Sequence, residues 1–295
     1  MIDKHALRIG IFNSTLAIIR QGSYEAANGQ KVGLPPVEDV MNAAVMYREP
    51  IALQRAADAG APAPFATEVR VEDNDCVLAA KALIDAGYNP AMLNLADLYV
   101  PGGLVEYGSG AQEENLCQRS NLIVSLYQFS RSRVRQYAGL GLQNRPDQYP
   151  MHELFGGVYS GIVTFFRGPE STGSQLEEKP YNIPVISVAA LSGPRIGRDG
   201  MMYPEEAAIT LEKMRTIFRI GATHGHDALV LSAMGCGAFH NPPAHIAKLF
   251  HQVIEEDEFR GLFRLIDFAI LDGYKTGLHH NPEGNLLPFQ REFNA

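Results

Sequence analysis

Residues 229–243 read LVLSAMGCGAFHNPP, an apolar run that ends in a glycine-rich loop and enters a segment with Pro243 at a helix start. A second stretch has the same plan: residues 94–114 read NLADLYVPGGLVEYGSGAQEE, where a buried-strand pattern over Met92–Ala96 gives way to Gly102, Gly103, Gly108 and Gly110 and then to a helix. In an open α/β sheet such loops lie at the carboxyl ends of strands, where ligands bind. Glycine permits positive φ and close approach of backbone to a ligand. Free N–H groups at a helix start add donors and about half an elementary charge. Neither loop has the GxGxxG or GxxxxGK[ST] spacing, which disfavours dinucleotide oxidoreductases and P-loop enzymes.

Working outward, alternating elements dominate. Helical spacing is expected over residues 5–21, with Gly22 as the stop, and over 37–47, 76–87, 112–129, 204–220 and 243–254. Strands are expected at 67–71, 92–96, 162–166, 185–190, 227–232 and 265–271, and residues 130–180 read as largely irregular. Apolar strands without alternation predict an α/β fold whose mixed, largely parallel sheet is covered on both faces. With no charge block or low-complexity boundary, the 295 residues are expected to form one domain, with residues 1–65 as a helical extension and 66–275 as its core.

The chain is 46% hydrophobic and 20% charged, the composition of a globular protein rather than a disordered or fibrous one. Its formal net charge of −8 has the wrong sign for sequence-independent grip on nucleic acid or anionic lipid. An anionic ligand must therefore be held by local dipoles, and hydrogen bonds to a charged acceptor contribute roughly 1.5–3 kcal/mol each. No apolar run approaches the roughly 18 residues of a membrane span, and the first residues are too polar for a signal-peptide core. Cys76, Cys117 and Cys236 form neither a CxxC nor a close pair, so a reducing cytoplasmic location without disulfides is expected.

Gln112-Glu113-Glu114 follows the first glycine loop. Two acidic residues in a first turn complement the helix dipole, and one carboxylate can also serve acid–base chemistry. Neighbours on a helix diverge by about 100°, so the two Glu cannot flank one bond from the same face; one acts and the other holds. An unperturbed Glu is protonated in only about one molecule in 500 at pH 7, so an ionised Glu114 is suited to taking a proton from water. Phe239 is either a core plug or a ring lying on a sugar or base. Cys236 lacks the glycines of a nucleophile elbow, because positions 234 and 238 hold Met and Ala. His224, His226, His279 and His280 find no completing ligand at metal-site spacing and read as exposed histidines, so no metal or cofactor is expected. Cys76 and Cys117 read as packing residues, and Tyr24, Tyr99, Tyr107 and Tyr159 as candidates for lining a pocket.

At these residues the sequence resembles the microbial-type poly(ADP-ribose) glycohydrolase family. The likeness rests on STLAIIRQGSYEAANGQKVGLP at 14–35, the Leu-Asn strand into Pro101-Gly102-Gly103, Gln112-Glu113-Glu114, LCQRSNL at 116–122, GCGAF at 235–239 followed by Asn-Pro-Pro, and the segments VYSGIVTFFR and VISVAALSGP. The resemblance implies a three-layer α/β/α macrodomain-like fold with extra N-terminal helices. It implies hydrolysis of the glycosidic bond at the anomeric ribose carbon of poly(ADP-ribose) or of mono-ADP-ribosylated targets. Glu114 would be the catalytic acid/base, and Glu113 would bind hydroxyls near the scissile bond. Asn94 and Asp97 would orient the terminal ribose, and Gly102, Gly103 and Gln112 would also bind substrate. Gly235, Cys236, Gly237, Ala238 and Phe239 would wrap the diphosphate, with Phe239 on its ribose. Leu104, Asp97 and His240 depart from the family pattern, which leaves the attached group open. The alternative is a macrodomain that binds ADP-ribose without cleaving it.

Overall fold

A computed structural model describes residues 3–53, 65–273 and 276–294. The fold is α/β, with a mixed, mostly parallel sheet and accompanying helices. The chain divides into two compact units, one from residues 1–46, 94–151 and 158–187, the other from 47–93, 152–157 and 188–295. Among the described residues no helix is long and apolar enough to cross a membrane.

The first unit opens with the helix Lys4–Gln21. Asp3 caps it by accepting from the amides of His5 and Ala6, and Gly22 ends it at φ 68° with its N–H on Ile18 and Ile19 carbonyls. Two expectations fail here. The helix expected over 37–47 stops at Asn42, and Ala44–Tyr47 is a strand in which Val45 is exposed and Met46 buried. The long helix expected over 112–129 breaks into Gln112–Arg119 and Leu122–Tyr127. Ser120 is extended there and bridges Phe165, its hydroxyl donates to Leu116 O at 2.7 Å, and the Asn121 side chain accepts from Thr164 N at 2.8 Å. These short polar side chains give the backbone partners outside the helix.

Residues 130–180 hold more order than expected. Thr164–Arg167 pairs antiparallel with Leu176–Asn182, and Gly157–Ser160 with Val185–Ala189. Arg167 is buried and donates to Ser14 Oγ, Thr15 Oγ1 and Ser174 O, which ties this hairpin to the first helix.

In the second unit, Ala228–Leu231 lies between two parallel neighbours, with Leu229 opposite Ala91 on one side and Ile266 on the other. Leu265–Ala269 then pairs in parallel with Glu68–Glu72. Ala228, Leu229 and Val230 are fully buried, as a strand covered on both faces requires. The helices Cys76–Asp85, capped by Asp75, Pro204–Thr223 and Pro243–Glu255 match the expected spacing. A further helix, Leu286–Phe293, was not expected; it is held by Phe289, whose ring lies 5.2 Å from that of Phe268. An open groove of about 810 Å³ lined by Leu53, Phe155 and Ile209 carries none of the glycine-loop residues.

Candidate active site

The first glycine loop is organised by carboxylates. The strand Pro90–Ala96 ends at Asp97, whose Oδ1 accepts from the amides of Tyr99 at 2.7 Å and Val100 at 2.8 Å and so turns the chain. The helix Gln112–Arg119 begins without a side-chain cap, leaving Glu113 and Glu114 in its first turn. Gln112 Oε1 accepts from Leu95 N at 2.7 Å. Glu113 Oε1 accepts from Asn94 Nδ2 and Gly102 N, each at 3.2 Å, and its Oε2 accepts from Asp97 N at 2.8 Å. Asn94 also donates to Ser187 Oγ at 2.9 Å. Glu114 Oε1 accepts from Leu104 N at 3.0 Å. Its Oε2 is buried and has no hydrogen-bond partner among the described residues.

The two carboxylates are 3% and 6% exposed, so each sits where an unpaired charge is expensive. Burial pushes the Glu113 carboxyl up to about 8, and the neighbouring Glu114 adds to this, while the Asp97 amide and the Asn94 side chain pull the other way. Burial likewise pushes the Cys117 thiol and the Tyr149 hydroxyl up, and Glu113 contributes to both. Glycine is required at position 103. Its φ is +57°, and a Cβ there would stand 2.5 Å from Glu114 Oε1 and 3.3 Å from Glu113 Oε2.

The second loop is organised by an amide side chain that sequence reasoning had read only as part of a signature. Asn241 is fully buried, and its Nδ2 donates to the carbonyls of Leu191 at 2.7 Å, Gly235 at 3.1 Å and Phe239 at 3.3 Å. Asn before Pro is a turn signal, and that signal was present in Asn241-Pro242. His280 Nε2 lies 2.7 Å from Cys236 O. Gly235 adopts φ +73°, where a Cβ would meet Asn241 Nδ2 at 2.3 Å. Among the described residues, the amides of Gly237, Ala238 and Phe239 donate to no protein acceptor. Phe239 is half-buried.

The structure therefore joins Asn94, Asp97 and Gly102 to Glu113 by hydrogen bonds, holds the flanking Gln112 on Leu95 N and Glu114 on Leu104 N, and packs Gly103 against both carboxylates. Gly235 to Phe239 form a separate loop in the other unit. Cys236 is fully buried and burial raises its thiol well above the ordinary value, the opposite of an activated nucleophile. The histidines were expected to be exposed, but His226 is buried and His224 is half-buried, with Nε2 2.9 Å from the Tyr47 hydroxyl. His240 stacks on His280 at 4.7 Å and holds φ +59°, a conformation uncommon outside glycine. Of the tyrosines, Tyr24 and Tyr159 are buried, the former donating to Glu177 O at 2.6 Å, whereas Tyr99 and Tyr107 are exposed.

A family model described as the catalytic domain of microbial-type PARG matches residues 13–168, a span that includes the first glycine loop and both carboxylates. The chain belongs to this family. Solved PARG structures agree over nearly the whole chain. Poly(ADP-ribose) glycohydrolase from Thermomonospora curvata superposes with a TM-score of 0.73 at 27% identity, covering 97% of this chain and 99% of that one. The same enzyme bound to the inhibitor ADP-HPD gives 0.74 at 27% identity, with the same coverage. The Deinococcus radiodurans enzyme in complex with ADP-ribose gives 0.64 at 25% identity, covering 89% and 99%. No curated protein sequence matches. Membership in the PARG catalytic-domain family makes this chain a glycohydrolase rather than a non-catalytic ADP-ribose reader.

Proposed function

We propose that this PARG-family domain cleaves the bond between the anomeric carbon of an ADP-ribosyl ribose and its leaving oxygen, with Glu114 moving the protons. The observation that carries this is the asymmetry of Glu114. One carboxyl oxygen is fixed by the Leu104 amide, and the other is buried and unspent among the described residues. A carboxylate so held is suited to acid–base work on a bound sugar. As the C1–O bond breaks with its electron pair leaving on the departing oxygen, water attacks C1. Glu114 takes the water's proton and delivers a proton to the leaving group, and the oxocarbenium-like transition state is eased by the substrate's own phosphates. Glu113, with Asn94, Asp97, Gly102, Gly103 and Gln112, forms the floor for the ribose hydroxyls.

In this reading the second loop receives the diphosphate. Its carbonyls are tied down by Asn241 and His280, which leaves the Gly237, Ala238 and Phe239 amides as donors. Backbone donors of this kind hold an anion without requiring a basic protein. The Phe239 ring covers the adjoining ribose. The chain works as one catalytic domain on ADP-ribosylated protein or polymer, in a reducing compartment that suits three buried cysteines.

The test is ADP-ribose release by the wild type and Glu114→Gln from poly(ADP-ribose) and from Ser-, Glu- and Arg-linked mono-ADP-ribosylated proteins. Turnover in the variant is expected to fall by about 10²–10⁴-fold while ADP-ribose still binds. Equal binding by both proteins with no release from any substrate would leave a reader and discard the mechanism.

A further inference from the structure

The first glycine loop has a second anchor, remote from the carboxylates. Glu106 lies in the short 3-10 turn Val105–Tyr107, two residues beyond Leu104. Its carboxylate receives the Arg133 guanidinium on Oε2, and on Oε1 both the Tyr137 hydroxyl and Gln136 Nε2, the latter at 2.6 Å. All these donors come from the helix Arg131–Gln136 and the residue that follows it. Arg133 Nη1 also donates to Gln136 Oε1 at 2.9 Å, so the donor side is itself braced. The ion pair is sheltered, with side chains 11% and 17% exposed. Burial works to raise the Glu106 carboxyl, but the hydrogen bonds from Tyr137, Arg133 and Gln136 hold it below its ordinary value.

The same helix reaches the loop by another route. The Arg133 guanidinium lies over the Tyr127 ring at 5.2 Å, and the Tyr137 ring stacks on Tyr127 at 5.1 Å. Tyr127 is fully buried against Gly102, where an added Cβ would stand 3.2 Å from its Cε1. Gly102 and Leu104 are the residues whose amides hold Glu113 and Glu114. The segment between Gly102 and Glu106 contains Gly103 in the left-handed region.

We infer that Glu106, clamped by Arg133 and Tyr137, is a positioning residue for the glycosidic cleavage, fixing the loop whose amides aim Glu114. The inference rests on the glycohydrolase reading above. Cutting the clamp lets the Leu104 amide drift from Glu114 Oε1, and displacement by a fraction of an ångström is enough to slow a reaction that depends on alignment. The loop that Glu106 fixes carries the amides that hold the two carboxylates, so the clamp acts on turnover more than on ADP-ribose affinity.

The experiment uses the full chain carrying Glu106→Gln, which keeps side-chain size and removes the charge. Steady-state kinetics of ADP-ribose release and amide hydrogen exchange over residues 98–108 are the two readouts. The expected result is a fall of about tenfold in kcat with KM changed by less than about twofold. The Gly102 to Leu104 amides are expected to exchange faster, with exchange elsewhere unaltered. Unchanged kcat with unchanged exchange overturns the inference, and so does faster exchange across the whole chain, which reports general loosening. If Glu106→Gln fails to fold, Tyr137→Phe, which removes one donor, is read by the same criteria. The double variant Glu106→Gln/Arg133→Met is expected to be no slower than either single one, and additive losses count against a shared clamp. A wild type that releases no ADP-ribose sinks the glycohydrolase reading instead, and the exchange of residues 102–104 then still decides whether Glu106 holds the loop.

Discussion

The two glycine loops share a plan in sequence and spend their backbone in opposite ways. In the first, the amides of Asp97, Gly102 and Leu104 are directed at Glu113 and Glu114. In the second, the carbonyls of Gly235, Cys236 and Phe239 are the groups tied down, by Asn241 and His280. The amides of Gly237, Ala238 and Phe239 donate to no acceptor among the described residues. Glycine-rich strand exits are therefore not one kind of site. Donors already spent on acids make a loop that holds a carboxylate, and donors left over make a loop that receives an anion. Under the proposed function, the contrast is what lets a chain of formal charge −8 hold a diphosphate.

The largest expected effects come from filling the two tight glycines. Gly103→Ala forces a Cβ to 2.5 Å from Glu114 Oε1 at φ +57°, so the carboxylate or the loop must move. A kcat loss of about 10²-fold is expected, with ADP-ribose affinity kept within about threefold. Gly235→Ala puts a Cβ 2.3 Å from Asn241 Nδ2 and 2.8 Å from Ala190 Cβ, and here affinity is expected to fall by more than about tenfold. Kinetics and calorimetry on both variants measure the split. If both lose kcat and affinity in the same proportion, the loops do not divide the work.

A smaller effect is expected from Asn241→Ala. It leaves the Leu191 carbonyl without its donor, while Gly235 O keeps the residue-241 amide and Phe239 O keeps the Gly193 amide. Unsatisfied buried acceptors cost about 1–3 kcal/mol, readable by urea unfolding. ADP-ribose affinity should fall with it, while kcat at saturating substrate stays within about threefold. A kcat loss as deep as that of Gly103→Ala breaks the comparison.

Local signals carried the sequence reading furthest. Gly22 stops a helix where it stands, and both glycine loops leave buried strands. What escaped depends on partners distant in the chain. Ser120 breaks a helix because Phe165 offers it a bridge, and Ser187 joins the site because Asn94 reaches it across 93 positions. Leu176–Asn182 reads as polar because it is a half-exposed strand in a separate two-stranded sheet, and Leu286–Phe293 forms because Phe268 gives Phe289 a surface. The three protein N–H donors that the Glu113 oxygens take are likewise invisible without the turn made by Asp97.

The gentlest probe compares two buried acids, one in each unit. Burial pushes Glu113 from 4.5 up to about 8, and pushes Asp267, which also faces Glu72, Arg70 and Glu68, from 3.8 up to about 7. A raised carboxyl keeps its proton in the folded chain to higher pH than in the unfolded chain. Each acid therefore lowers stability progressively as pH rises through its window, from 3.8 to about 7 for Asp267 and from 4.5 to about 8 for Glu113, and the loss is complete above it. Asp267→Asn is expected to match the wild type at about pH 4 and to gain on it steadily toward about pH 7, with activity unchanged within about twofold, because Asp267 lies outside the loop network. Glu113→Gln should flatten the slope over its own higher window but also slow turnover, because its carboxyl holds Asn94, Asp97 and Gly102. Urea midpoints across this range, read beside kcat, separate the two. An Asp267→Asn protein that falls further behind the wild type as pH rises would mean that its carboxylate is stabilised in the fold, and the contrast between a buried acid at work and one merely enclosed would be lost.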